Sequence, residues 1–179
     1  MNNQKKLNKY FSEVWEPSPI DEWEYSGIQI IDKIKPHETV IDVGCGYNLF
    51  KDKIKNLLGI DSANDEADIK ISLEHFLPDD KYDVALCLGS INFGDVNRIT
   101  NQIAKVISIL KDTSRIYWRC NPGHHDHDNQ ECLQINFFPW NEEWMEHFAD
   151  MFNYKINFMK YENHKTLNRH RLYSEWIKE

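Results

Sequence analysis

The segment Glu38–Gly46 constrains the fold of this chain more than any other stretch, because an apolar run there leads directly into two glycines. Val40–Val43 is rich in β-branched residues and is typical of a short, fully buried strand. Gly44 and Gly46 then end the strand. Glycine accepts a tight turn with positive φ, and because it lacks a Cβ atom a ligand can lie directly against its backbone. The sequence therefore predicts a strand whose carboxyl end holds a small molecule.

The chain after the glycines is predicted to continue as a short helix over Asn48–Lys55. The first N–H groups of such a helix would point back at the glycine turn and favour a bound ligand there. A strand, a glycine turn and a helix N-terminus would together form a cradle for a small molecule.

A second apolar strand, Leu57–Asp61, ends in a carboxylate. Asp61 follows Gly46 by 15 residues, about the separation at which an acidic residue in a βαβ unit reaches a ribose diol. Leu49 stands where the third glycine of the dinucleotide fingerprint would be. Because the NAD pyrophosphate needs the closest backbone approach, the pattern predicts a bound ribose and argues against NAD.

These segments resemble motifs I and II of the class I S-adenosylmethionine-dependent methyltransferases, with Asp42–Gly46 as the first and Gly59–Asp61 as the second. Tyr82–Cys87 is similar to the fourth strand of that superfamily, and the resemblance covers roughly residues 20–177. The resemblance implies an α/β fold, a Rossmann-like three-layer sandwich with a mostly parallel sheet and an antiparallel C-terminal hairpin. It also implies S-adenosyl-L-methionine as cofactor and S-adenosyl-L-homocysteine as product.

The resemblance further implies which residues bind the cofactor. The glycine turn would hold the methionine end, the acid after the second strand the ribose, and the end of the third strand the adenine, with backbone contacts from the end of the fourth. An ordinary strand end is an equally open interpretation of the third-strand residues. The predicted cofactor-binding residues are Asp42, Gly44, Cys45, Gly46, Asn48, Asp61, Ser62, Ser72, Leu73, Leu88 and Gly89.

The connection after the second strand departs from the usual pattern. Ser62–Ala67 is too short for the helical crossover of a dozen or more residues that parallel strands normally need. We therefore expect a reduced crossover, with Asp68–Ile71 as a short third strand reached through an open loop.

Helix signals elsewhere are local and clear. Ser18 and Pro19 predict the start of a helix that carries its apolar residues on one face as far as Ile34. Asp95 predicts the N-cap of a helix whose apolar face extends to Leu110. Asn141 predicts the cap of a third helix. The remaining apolar runs predict strands over 82–88, 114–120, 154–161 and 169–177.

Residues 1–17 are polar with interspersed aromatics, Tyr10, Phe11 and Trp15. Two interpretations stay open: a helix that packs its aromatic side chains on the domain, or a lid over the cofactor. The first is the commoner use of an aromatic stripe at helical spacing.

Asn121–Asp128 follows the fifth strand and carries His124, His125 and His127. Histidine titrates near neutral pH, so these side chains are candidates for a general base. Asn92, after the fourth strand, is a further catalytic candidate. A zinc site using the neighbouring cysteines is a weaker alternative, because the spacing matches no standard pattern. A solvated loop without catalytic role is also open, and we predict no metal site.

The C-terminal part of the chain is locally basic, although the net charge is −8. A phosphate-bearing acceptor, nucleic acid or a merely solvated strand face would each explain these charges. The acidic balance disfavours general attraction to nucleic acid or to anionic membranes. The basic residues are Lys160, Lys165, Arg169, His170 and Arg171.

The chain has 179 residues, which predicts one domain over 1–179. It contains no apolar run of about 20 residues, and its N-terminus lacks the pattern of a secretory signal, so we expect a cytoplasmic protein without a membrane partner. Its four cysteines fall singly, as reduced thiols do.

The predicted function is methyl transfer to an unidentified acceptor, with a small molecule favoured. One rival is a protein that binds S-adenosylmethionine without transferring the methyl group, as a regulatory or assembly subunit. Another is different chemistry on the same cofactor or on a related nucleoside. The sequence does not predict the oligomeric state.

Overall fold

Seven β-strands form one mixed sheet in the computed structural model, which describes residues 3–123 and 135–179. Three α-helices accompany them: α1 (Asn3–Glu13), α2 (Val96–Ser108) and α3 (Glu142–Met151). The strands are β1 (Val40–Val43), β2 (Leu57–Asp61), β3 (Ile69–Lys70), β4 (Tyr82–Leu88), β5 (Leu110–Cys120), β6 (Lys155–Asn163) and β7 (His170–Lys178).

The strand order across the sheet is β3-β2-β1-β4-β5-β7-β6. Strands β1 to β5 run parallel, with Val40 opposite Leu57 on β2 and opposite Val84 on β4. Strand β7 is antiparallel to both β5 and β6. The predicted α/β fold with an antiparallel C-terminal hairpin is therefore confirmed. The carboxyl ends of the parallel strands meet at one edge, where β7 also begins.

The central strands β1 and β4 are buried on both faces, since successive residues point to opposite sides of the sheet and both sets are buried there. On β4, Ala85 and Cys87 belong to a core that also contains residues of α2 and α3. Val84 and Leu86 belong to a second core on the other face, where the 3₁₀ helix Ile28–Lys33 supplies Ile30. The three-layer arrangement is thus present, with a 3₁₀ helix and turns forming one outer layer.

Of the three helix caps that the sequence predicted, at Ser18, Asp95 and Asn141, the last two are confirmed. Asp95 accepts a hydrogen bond from the backbone N–H of Arg98, and Asn141 accepts one from that of Trp144. The apolar face of α2 is shorter than predicted, because the helix ends at Ser108 and Leu110 is the first residue of β5.

The helix predicted from Ser18 to Ile34 is wrong. The segment is irregular apart from the 3₁₀ helix Ile28–Lys33. The buried carboxylate of Glu162 accepts hydrogen bonds from the backbone N–H groups of Tyr25 and Ser26, at 2.8 and 3.0 Å. These groups are therefore bonded to a distant strand rather than to a helical turn.

The helix predicted over Asn48–Lys55 is also wrong, and successive turns occupy its place. Asn48 adopts a left-handed conformation with φ of +53°, which an α-helix does not allow. Its side-chain amide donates to Asp68 at 3.1 Å, and this bond holds the residue in the turn. The chain after the glycine turn therefore supplies no helix N-terminus to it.

The reduced crossover after β2 is confirmed. Strand β3 contains only two residues, and a loop leads to it from Asp61 without a helix. The carboxylate of Asp68 accepts from the backbone N–H of Gly59 at 2.8 Å, which fastens this loop to β2.

Helix α1 packs on the domain through one aromatic face. Leu7 and Tyr10 are buried against Phe93, Ile135 and Phe137 in a cluster separate from the two sheet cores. In the described part of the chain, no helix combines the length and the apolar character needed to cross a bilayer.

Candidate functional site

A large cavity opens at the carboxyl edge of the parallel strands, which is the general binding position in open α/β sheets. Its volume, counted as the space open to the centre of a water molecule, is about 230 Å³. On that measure a single water needs only about 10–15 Å³. The cavity therefore has room for a ligand. All the predicted cofactor-binding residues line it except Asn48, whose side chain is turned toward Asp68.

The glycine turn after β1 has the backbone that the sequence predicted. Gly44 and Gly46 have φ of +67° and +54°, in the left-handed region that favours glycine. A Cβ atom at Gly44 would come within 2.4 Å of the Cβ of Ser90, and one at Gly46 within 2.9 Å of the Trp15 ring. The loop after β4 and the chain after α1 can approach the turn only because these side chains are missing.

Asp61 stands at the end of β2 and faces the same cavity. One carboxylate oxygen accepts from the backbone N–H of Gly46 at 3.0 Å. The other accepts from those of Ala63 and Asn64, at 2.7 and 3.0 Å. A carboxylate has about four lone-pair positions, so Asp61 fixes both loops and retains capacity to accept a further bond.

Asp42 is a buried carboxyl group that lines the cavity beside the turn. Burial raises its pKa to about 7, opposed by the nearby Arg119 guanidinium and reinforced by the Asp61 carboxylate. No hydrogen bond from the described residues reaches its side chain. A buried carboxylate costs free energy when it lacks a partner, so this position is suited to a positively charged or donating ligand group.

Cys45 lies between the two glycines, and its thiol is 3.8 Å from the carbonyl oxygen of Gly46. Burial, together with the Asp42 and Asp61 carboxylates, raises the pKa of the thiol well above its usual range. Cys45 therefore remains a neutral thiol, which is unsuited to act as a nucleophile.

The ends of β3 and β4 supply the remaining predicted contacts. Ser72 precedes a short 3₁₀ turn, and its hydroxyl is 2.8 Å from Nδ1 of His75. Leu73 is buried against the cavity. The carbonyl of Leu88 accepts from the Arg119 guanidinium at 2.8 Å, and Gly89 follows with φ of +109°.

Asn92, the catalytic candidate after β4, has both polar ends of its side chain in use. Its amide group donates to the carbonyl of Gly89 at 2.9 Å, and its oxygen accepts from the backbone N–H of Asn121 at 2.9 Å. The side chain is buried and joins the loops after β4 and β5. It also lines the cavity, but its geometry is that of a positioning residue.

Helix α1 and the residues after it cover one side of the cavity. The Ser62 hydroxyl donates to the Asn8 side chain at 3.2 Å, which joins the end of β2 to the helix. The Phe11 ring contacts the Phe93 ring edge to face, with centroids 5.6 Å apart. Trp15 completes the cover by lying against Gly46.

The three histidine candidates, His124, His125 and His127, lie outside the described residues. Within the described part, no group of three or more His, Cys, Asp or Glu side chains is gathered closely enough to hold a metal ion.

The solved structures that this chain resembles include several methyltransferases. The magnesium protoporphyrin IX methyltransferase of Synechocystis PCC 6803, solved with S-adenosylhomocysteine, matches with a TM-score of 0.73 and 13% identity over 99% of this chain and 100% of its own. The chain has the class I methyltransferase fold.

Two further structures share this methyltransferase fold. The 1,6-didemethyltoxoflavin-N1-methyltransferase of Burkholderia thailandensis matches with a TM-score of 0.70 and 12% identity, over 98% of this chain and 86% of its own. The N-methyltransferase NodS of Bradyrhizobium japonicum matches with a TM-score of 0.64 and 9% identity, over 99% of each chain. Both contain S-adenosylhomocysteine. No protein-family model matches the sequence, and neither does any curated protein.

Two residues that line the cavity, Arg119 and Ser90, were missed by sequence reasoning. Arg119 lines the cavity near the end of β5, and Ser90 places a buried hydroxyl there that has no partner among the described residues. A charged residue directly after the apolar segment 116–118, near the end of the strand, was the available signal for Arg119. Ser90 carried no local signal, because its position depends on the space left by Gly44.

Proposed function

We propose that this chain transfers a methyl group from S-adenosylmethionine to a small-molecule acceptor. The observation that carries the proposal is one cavity in which a buried carboxyl group, Asp42, lies beside a left-handed glycine turn and accepts no hydrogen bond from the described residues. The cavity continues to Asp61 at the end of the next strand. The fold shared with methyltransferases supports the same function.

The residues fit the cofactor by charge and by shape. S-adenosylmethionine carries an ammonium group at its methionine end, and the Asp42 carboxylate is the complementary charge next to Gly44. Asp61 would accept from the ribose, as its remaining lone-pair capacity allows. Ser72 and Leu73 would border the adenine, and Leu88 and Gly89 would lie along the opposite side. For Asn48, the position of its side chain behind the turn favours a structural role instead.

The bound cofactor supplies a methyl group that is already activated for displacement. The work left to the protein is to hold the acceptor in line with the methyl group and to exclude water. Asn92 joins the loop after β4 to the loop after β5 at this edge of the sheet. The aromatic rings of Phe11, Trp15 and Phe93 border the cavity and would exclude water from it. In this proposal α1 and the residues after it act as a lid, to which they contribute the rings of Phe11 and Trp15.

The choice of a small-molecule acceptor is supported by the neighbours, whose names give 1,6-didemethyltoxoflavin and magnesium protoporphyrin IX as the molecules methylated. The net charge of −8 supports it against nucleic acid. A cytoplasmic location stays a prediction.

Calorimetric titration with S-adenosylmethionine, S-adenosylhomocysteine and NAD tests the cofactor. We expect micromolar binding of the two sulfur nucleosides and none of NAD. Absence of binding of either sulfur nucleoside would contradict the proposal. Formation of S-adenosylhomocysteine in the presence of a panel of small acceptors then separates methyl transfer from binding alone.

A further inference from the structure

Three arginines line the cavity at the side away from β2 and β3. Arg119 is the last residue but one of β5, Arg171 is the second residue of β7, and Arg169 precedes that strand. The two strands are antiparallel neighbours, with Cys120 opposite Leu172, so the end of β5 and the beginning of β7 lie side by side.

Two of the three guanidinium groups lie over one indole ring. The Cζ atoms of Arg119 and Arg171 lie 4.8 and 5.6 Å from the centroid of Trp23. Arg169 approaches from the loop, where its Nη1 is 3.4 Å from the hydroxyl of Ser18. Burial lowers the pKa of the neighbouring His164, and all three arginines lower it further, against the opposing effect of Glu22.

Two buried carboxyl groups, Glu162 and Asp42, lie near Arg119 at this end of the cavity. Glu162 is the fully buried carboxylate beside the arginines, and its oxygens already accept from Tyr25 and Ser26. Burial lowers the pKa of Arg119 to about 10. Glu162 and Asp42 oppose this change, and the neighbouring positive charge of Arg171 adds to it. In a chain with a net charge of −8, such a gathering of cations favours an anionic ligand.

The sheet order decides which ligand the anion belongs to. The proposed cofactor residues follow β1, β2 and β3, with the loop after β4 next to them, whereas Arg169 and Arg171 lie by β7 on the far side of β5. An anion at Arg169 and Arg171 therefore lies across β5 from the proposed cofactor residues, in the part of the cavity left for the acceptor. The planar fork of arginine matches both carboxylate and phosphate groups.

We infer that the acceptor carries an oxyanion, either a carboxylate or a phosphate, which binds Arg169 and Arg171 beside Trp23. This inference rests on the proposed function and names the chemical class of its acceptor. It makes the arginines of the C-terminal hairpin part of a binding site rather than a solvated strand face.

The test uses the full chain saturated with S-adenosylhomocysteine and three probes: benzoate, phenyl phosphate and the neutral benzamide. Binding is measured by calorimetry or ligand-observed NMR. We expect benzoate or phenyl phosphate to bind and benzamide to bind at least about tenfold more weakly, and the tighter of the two anions identifies the oxyanion.

Arg169→Gln should weaken the binding of that anion by about tenfold or more, since it removes a charge-assisted contact. Lys165→Gln is the matched control, because its exposed side chain lies on the same hairpin outside the cavity.

Arg169 is the first choice for substitution because its side chain is only half buried. Arg171→Gln is the second variant, with its melting temperature recorded to show that it folds. Failure of S-adenosylhomocysteine to bind would overturn the proposed function and the inference together. Normal cofactor binding with equal affinity for benzoate, phenyl phosphate and benzamide would overturn the inference alone. Loss of cofactor affinity in Arg169→Gln, with anion binding unchanged, would assign the arginine to the methionine carboxylate and also overturn it.

Discussion

The backbone N–H of Gly46 donates a 3.0 Å hydrogen bond to a carboxylate oxygen of Asp61. The bond joins the turn after β1 to the end of β2, so the two motifs that indicated a cofactor site also stabilise each other. The shape of the turn therefore depends on the residue proposed to bind the ribose. Substitutions at either position should change both ligand affinity and local structure.

Replacing Asp61 by alanine removes the acceptor for three backbone N–H groups as well as the proposed ribose contact. We expect the affinity for S-adenosylhomocysteine to fall by about 1.5–3 kcal/mol, the range for a hydrogen bond to a charged group. Calorimetric titration measures this change. The control is Asp65→Asn, since Asp65 is exposed and pairs with Lys70. Equal affinities of Asp61→Ala and the unmodified chain would refute the ribose assignment.

Gly46→Ala should destabilise the fold. The residue has a positive φ, and its new methyl group would come within 2.9 Å of the Trp15 ring. Left-handed backbone alone costs about 1–2 kcal/mol for a residue with a Cβ atom. Chemical denaturation of Gly46→Ala, Trp15→Ala and the double variant measures the coupling between the two sites. We expect the double variant to lose less free energy of unfolding than the sum of the two single variants, because the clash with the ring is gone. Additive losses would show that the new methyl group and the Trp15 ring do not meet.

Asp42 should make the stability of the unliganded protein depend on pH in a defined direction. Its pKa rises from 3.8 to about 7 on folding, so between these values the folded state binds more protons than the unfolded state. The free energy of unfolding contributed by Asp42 therefore falls as the pH rises from about 4 to about 7. Asp42→Asn removes this contribution. Its melting temperature relative to the unmodified chain should increase from pH 5 to pH 8, and a constant difference would contradict the assignment.

Helix α1 is proposed to cover the cofactor, so hydrogen exchange in residues 3–15 should slow when S-adenosylhomocysteine binds. Phe11→Ala removes the ring that meets Phe93 and should reduce this protection. Val14→Ala is the control on the same segment, because Val14 is exposed. If cofactor binding does not change the exchange rates in α1, the helix packs on the domain but does not act as a lid.

Asn92→Ala tests whether this side chain positions loops or takes part in chemistry. The substitution leaves the buried N–H of Asn121 without its acceptor, which costs about 1–3 kcal/mol. We expect a lower free energy of unfolding and nearly normal affinity for S-adenosylhomocysteine. A variant of normal stability that binds the cofactor but forms no methylated product would indicate a direct catalytic role.

Local sequence signals were sufficient for much of the sheet and for two of the three helix caps. Strand β4 has the bounds that its apolar run predicted, and Asp95 and Asn141 cap α2 and α3 through their own side chains. The glycine turn was also predictable, because a turn with positive φ favours glycine at those positions. These features depend on residues close together in the chain.

The features that the sequence did not reveal depend on residues far apart. The segment after Ser18 has the local pattern of a helix, but Glu162 accepts its N–H groups from 136 or more positions away. The arginine cluster is similar, since Arg119 and Arg171 come together only when β5 and β7 pair. A local sequence pattern identifies neither the distant residue that a backbone group will contact nor the order of the strands in the sheet.

The shortness of β3 has a consequence for the solubility of the protein. Strand β3 is one edge of the sheet, and its two residues present too few unpaired backbone groups to template the addition of another chain. The opposite edge, β6, is nine residues long and carries the exposed side chains of Lys155 and Lys160, whose charges disfavour the approach of a second sheet. The loss of a crossover helix therefore also gives this fold one edge on which intermolecular aggregation cannot readily begin.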